Sequence, residues 1–193
     1  MSPARIGLIG GECTGKTTTA TDLAGRFAAA VTPEALRDFV IRHGRTPRAE
    51  EQRPIMREQR AREDALARRP DLDLVIGDPA TAMTAIYSDA YFADASLLPE
   101  ATSLALDYDL VLWCRPDIPW VADPGQRDGA EYRERVDDLL AAYIHVTMRP
   151  AGIVVLELTG DRRTRHLRAV EAIGTIIGGP SRAWQSVHGS DAT

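Results

Sequence analysis

Residues 6–19 read IGLIGGECTGKTTT: an apolar run, a glycine-rich turn, then residues able to continue as helix. Gly10, Gly11, Glu12, Cys13, Thr14, Gly15, Lys16 and Thr17 fit the pattern GxxxxGK(S/T). The pattern has a physical meaning only between a strand and a helix, which is where it lies. Glycines let successive backbone N–H groups turn inward around a phosphate chain. A helix opening near Gly15 adds its unpaired N–H groups and the positive end of its dipole, at Thr17 and Thr18. Lys16 then reaches the β- and γ-phosphates of ATP, and the Thr17 hydroxyl serves Mg²⁺. Lys16 is also the only lysine of the chain, every other cationic side chain of the 23 Lys+Arg being arginine. A GC-rich genome accounts for the arginine bias, and a slim ammonium suits a crowded phosphate cradle better than a planar guanidinium.

Outward from this loop, apolar runs and helical patterns alternate, which predicts an α/β fold with a parallel sheet. The first strand is expected at residues 5–9 and a helix at 15–29. A short strand in AAAVTPEAL ends near Thr32, because Pro33 cannot donate to a ladder. A helix through EALRDFVIRHG stops at Gly44. The charged stretch 45–69 has helical spacing and Glu–Arg pairs, expected of an exposed helix. DLDLVIGD is a buried strand closing on Asp78, followed by two helical stretches and the strand DLVLWCR. A loop rich in Pro, Gly, Asp and Arg leads into a helix, and GIVVLEL and DRRTRHLRAVEAIGTII supply the last strand and helix. One domain is expected over residues 1–179, with a flexible tail at 180–193.

The 193 residues are 44% hydrophobic and 26% charged, the balance of a globular protein with a substantial core. The net charge of −5 gives no support for general nucleic-acid binding, which draws on neutralised phosphates. No apolar run approaches the roughly 20 residues needed to span a bilayer. The opening residues turn polar and glycine-rich too soon for a signal peptide, so the cytoplasm is the expected compartment. Two cysteines, Cys13 and Cys114, make neither a disulfide framework nor a zinc site. Cys13 fills a variable loop position, as a neutral filler or a redox-active thiol.

Transfer of the γ-phosphoryl to a small acceptor is favoured over hydrolysis by three features. A guanine-reading N-K-x-D motif is impossible with Lys16 as the sole lysine. Glu34 follows the second strand, where a carboxylate can orient an acceptor hydroxyl and take its proton; it can equally favour a helix N-terminus. Asp78, which belongs to the nucleotide side and is not one of the three, is placed for Mg²⁺ or its waters, or for capping a helix. The loop after the fourth strand carries Arg127, with Arg133 and Arg135 beyond, in the chain region of a closing lid that stabilises charge and excludes water.

The stretches GLIGGECTGKTTTATDLA, PEALRDFV, LVIGD, RPDIPWVADPGQR and ELTGDRRTRHLRAVEAI run in order from about residue 5 to 177. Through them the chain resembles the nicotinamide-riboside kinase domain of NadR-type proteins and their stand-alone relatives among small P-loop ATPases. That resemblance implies a three-layer, nucleoside-kinase-like P-loop fold with a five-stranded sheet in order 2-3-1-4-5. It also implies ATP- and Mg²⁺-dependent phosphorylation of a nucleoside 5′-hydroxyl, with nicotinamide riboside the best single acceptor. Glu34 and Arg37 would then face the acceptor, and Asp78 the metal or an acceptor hydroxyl. Trp120, Asp123 and Arg127 would belong to the lid and substrate rim, and Gly160 and Arg162 would hold the adenine. Pro33 and Ala35 flank Glu34 where relatives that bind nicotinamide riboside tend to carry aromatics, so the ring platform falls to Trp120, Tyr87 or Tyr91. Pro124 and Gly125 lengthen the lid pattern. Another nucleoside-like acceptor, or a nucleotide-dependent switch with a protein partner, are the competing readings.

Overall fold

The computed structural model describes residues 2–120 and 130–178. Asp123, Arg127 and the expected tail at 180–193 lie outside the described residues. The strands are β1 (Ala4–Ile9), β2 (Ala29–Thr32), β3 (Leu74–Gly77), β4 (Leu110–Cys114) and β5 (Val155–Leu158). They form one parallel sheet in the order β2-β3-β1-β4-β5, as expected from the resemblance. The helices are α1 (Lys16–Ala24), α2 (Ala35–His43), α3 (Ala49–Ala67), α4 (Ala82–Phe92), α5 (Leu98–Ala105), α6 (Ala130–Tyr143) and α7 (Arg162–Ile177). A π-helical turn, Ile144–Met148, extends α6.

Strand alternation sends neighbouring side chains to opposite faces of the sheet. Leu110, Leu112 and Cys114 pack with Ile6, Leu8, Leu23, Ala169 and Ile173, so α1 and α7 cover that face. Val111 and Trp113 pack with Met83, Ile86, Ala101, Val136 and Leu140 on the other, under α4, α5 and α6. Gly7 in β1 is packed closely: a Cβ there would lie 3.0 Å from Ala80 Cβ and 3.3 Å from the Tyr108 ring, so its neighbours would have to shift. That close packing fixes the segment after β3 against the middle of the sheet, and Ala80 N–H donates to Leu8 O at 2.8 Å.

Two expectations change. The first helix stops at Ala24 rather than near residue 29. Gly25, Arg26 and Phe27 close it with N–H bonds to Thr21 and Leu23, and Ala29 already pairs with Leu74 in the sheet. The helix of the charged stretch is α3, and it is not simply an exposed helix. It buries Gln52, Ile55, Met56, Gln59 and Glu63 along one face, while Arg57–Glu100 and Arg62–Glu58 pairs lie outside. Abundant charges hid a stripe of which three members are polar.

Glu63 is the deepest of these, 1% exposed. Its carboxylate accepts from Tyr108 Oη (2.7 and 2.9 Å) and Thr81 Oγ1 (3.1 Å), and Thr81 N–H donates to the same Tyr108 oxygen at 3.0 Å. Burial pushes the Glu63 carboxyl up to about 7 from 4.5, against the pull of Tyr108, Thr81, Arg60 and Arg5. Between those values the native chain holds the extra proton. The stabilising contribution is therefore complete below about pH 4.5 and is lost as pH rises through about 7. Measured by chemical denaturation, wild type should lose up to about 3 kcal/mol relative to Glu63→Gln between pH 5 and 8. A stability difference that stays constant across that range would refute this.

Candidate active site

The loop between β1 and α1 is built around three left-handed backbone positions. Gly10 has φ +146°, Cys13 +52° and Gly15 +83°. At Gly10 a Cβ would lie 2.5 Å from Cys114 O and 2.7 Å from Thr14 Oγ1, so no other residue fits. Thr14, buried, donates from its hydroxyl to Gly11 O at 2.9 Å and closes the turn on itself. Gly15 N-caps α1, while Thr17 and Thr18 lie exposed on its first turn. Lys16 Nζ folds back to donate to Gly10 O (2.9 Å) and Gly11 O (2.6 Å). The only lysine thus sits across the mouth of the loop.

Desolvation lowers the Lys16 pKa, opposed by Cys114, Asp78, Glu34 and Glu12. Glu34 and Asp78, the expected carboxylates, stand just beyond two adjacent strands, and the charge of each favours the protonated lysine. Glu34 lies two residues beyond β2 and is the N-cap residue of α2, yet its side chain makes no capping bond. Its carboxylate lies 3.6 Å from Nε of the largely exposed Arg37. Burial raises the Glu34 pKa, opposed by Arg37 and Lys16 and reinforced by Asp78 and Asp38. Asp78 follows β3 directly, and the cap position of α4 is taken by Thr81 instead. Neither acid is consumed by a helix end.

Aromatic side chains gather between α4 and α6. Tyr87 and Tyr91 are neighbours on α4, with ring centroids 6.1 Å apart, and Tyr91 stacks on Tyr132 of α6 at 4.7 Å. The next residue, Arg133, packs on the phosphate loop: a Cβ at Gly11 would lie 3.3 Å from its Cγ. Arg133 also donates to Ile118 O at 3.2 Å. Trp120 is half-buried, and its indole N–H is buried with no hydrogen-bond partner among the described residues. Tyr132 thus joins Arg133 among the lid candidates, unforeseen because nothing in its sequence neighbours says which helix it will meet.

On the other flank, Gly160 has φ +86°, and its N–H donates to Asp117 Oδ2 at 2.6 Å. Arg162 forks onto Asp22 of α1 at 2.6 and 2.9 Å. Asp117 and Arg165, which tie this flank to the phosphate loop, were not among the sequence candidates. Arg165 was detectable in principle, since it shares the 165/169/173 spacing of the buried α7 stripe.

Hard oxygen donors at Thr17 and Asp78 fit Mg²⁺, which takes one or two protein oxygens and completes its shell with water and substrate phosphates. Among the described residues no helix is long and apolar enough to cross a membrane.

A family model for the AAA domain matches residues 5–165. No curated protein matches the chain. Among solved structures, NadR protein in complex with NR aligns with a TM-score of 0.71 at 20% identity, over 91% of this chain and 52% of that one. NadR protein in complex with NAD and AMP-PNP gives 0.72 at 19%, over 91% and 50%. The present chain spans about half the length of those NadR chains. Thymidylate kinase from Ehrlichia chaffeensis gives 0.62 at 16%, over 90% and 100%. At these identities the likeness is one of fold, that of the P-loop nucleoside and nucleotide kinases. With its phosphate loop inside the matched span, the chain belongs to the AAA domain family.

Proposed function

We propose that this chain is an ATP-dependent phosphotransferase acting on the 5′-hydroxyl of a nucleoside, with nicotinamide riboside the leading acceptor. The observation that carries the reading is the placement of two carboxylates, Glu34 and Asp78, just past adjacent strands beside the phosphate-loop strand, where neither caps a helix and the charge of each favours protonated Lys16. A hydrolase or switch has no need of a second acid at the end of β2. The NadR structure in complex with NR, alike in fold, supports the choice of acceptor.

In this reading the loop amides at residues 11–17 and Lys16 hold the donor phosphates, and Gly160 and Arg162 border the adenine. Thr17 and Asp78 would hold Mg²⁺, which would supply charge neutralisation to the phosphates. Glu34 orients the acceptor hydroxyl and takes its proton as the loose phosphoryl transition state develops. Its raised pKa makes it a stronger base than an exposed glutamate, and Arg37 steadies the charge. Tyr87, Tyr91 and Tyr132 form an aromatic wall for a planar base, with Trp120 at the rim. Asp123 and Arg127, the other lid candidates, lie outside the described residues, and Arg133 is a further cation held against Gly11.

ADP release from Mg²⁺–ATP should depend on added nicotinamide riboside or a related nucleoside. Release stimulated by a protein and by no small acceptor would establish a regulatory ATPase instead. Lys16→Ala should abolish transfer. Glu34→Gln should lower kcat by about 10²- to 10⁴-fold, with the KM for ATP nearly unchanged. Wild-type kcat should fall as acid protonates Glu34, at a pH above the ordinary glutamate range, and Glu34→Gln should lose that limb. Normal turnover by Glu34→Gln would remove Glu34 as the base.

A further inference from the structure

Arg165 is 3% exposed, a guanidinium held almost wholly out of water beneath the phosphate loop. Its donors are distributed over four acceptors from three parts of the chain. Nη1 donates to Thr14 O at 2.7 Å, in the loop itself. Nε donates to Gly160 O at 2.9 Å, after β5. Nη2 donates to Arg115 O at 2.9 Å and to the Asp117 carboxylate, after β4. Asp117 in turn accepts the Gly160 N–H, closing a ring of contacts between the β4 and β5 loops. Only arginine carries enough fixed donors to serve these acceptors at once.

The Thr14 contact has a directional consequence. A trans peptide is planar, so its C=O and the following N–H point in opposite directions. Holding Thr14 O down toward Arg165 therefore turns the Gly15 N–H away from the core, toward the mouth of the loop. Gly15 stands close above the guanidinium: a Cβ there would lie 3.7 Å from Nη1. Resting on the reading of this loop as the site of the ATP phosphates, we infer that Arg165 is a positioning residue for nucleotide binding: it aims the Thr14–Gly15 peptide at the phosphates and, with Asp117, locks the Gly160 loop into the same frame. It touches no substrate itself.

Two variants test this, Arg165→Lys, which keeps the charge but not the fork, and Asp117→Ala, which loosens the clamp at a partly exposed side chain. Affinity for Mg²⁺–AMP-PNP is measured by titration calorimetry at a temperature where thermal melting shows each variant folded. Arg165→Lys should bind at least about tenfold more weakly, from the loss of charge-assisted hydrogen bonds, and Asp117→Ala several-fold more weakly. Should Arg165→Lys fail to fold, Asp117→Ala decides alone. A lowered melting temperature with unchanged affinity in the folded variants would make the clamp purely structural and overturn the inference. If the wild-type chain binds no AMP-PNP, it is the nucleotide reading itself that fails.

Discussion

Among the described glycines the tightest constraint is at Gly10, where the backbone passes the end of β4 so closely that a Cβ would lie 2.5 Å from Cys114 O. A chain leaving β1 there can only turn at once, through left-handed conformations at Gly10, Cys13 and Gly15, before Lys16 starts α1. The turn exposes a row of main-chain amides at a helix N-terminus, a ready place for negative charge. Because β1 is the central strand, the ends of β2, β3, β4 and β5 fan out on both sides of that one loop.

Strand order then divides the labour. To one side of β1, β3 and β2 deliver Asp78 and Glu34, the acids that act on Lys16. To the other, β4 and β5 deliver Asp117 and Gly160, tied by Arg165 to the loop's underside. Buried polar groups anchor both sides: Glu63 and Tyr108 hold Thr81, just past Asp78, and Arg165 holds Thr14. Each is costly to bury unless fully paired, and their pairing fixes the segments that carry the site.

The loop and the two strand-end acids were legible because each rests on local signals, whereas the sheet order came from the resemblance to the NadR-type kinase domain. An apolar run ending in a polar residue marks a strand end, and the glycine spacing marks the turn. What escaped was set by tertiary packing. The stripe on α3 was masked because Gln52, Gln59 and Glu63 occupy buried positions that apolar periodicity cannot reveal. The first helix was read too long because Arg26 and Phe27 continue a helical pattern, whereas the pairing of Ala29 with Leu74 ends it. Tyr132 stacks on Tyr91 across 41 residues of chain, a contact only the packing of α6 on α4 creates. Whether Glu34 capped a helix or faced a ligand was undecidable from sequence, and the uncapped carboxylate beside Lys16 favours the second.

A crystal structure with AMP-PNP, Mg²⁺ and nicotinamide riboside tests the central claim most directly. The account places the triphosphate along the amides of residues 11–17 under Lys16, and the 5′-hydroxyl within hydrogen-bond reach of Glu34. A triphosphate seated elsewhere, or a riboside bound with its 5′-hydroxyl turned away from both Glu34 and Asp78, would contradict it.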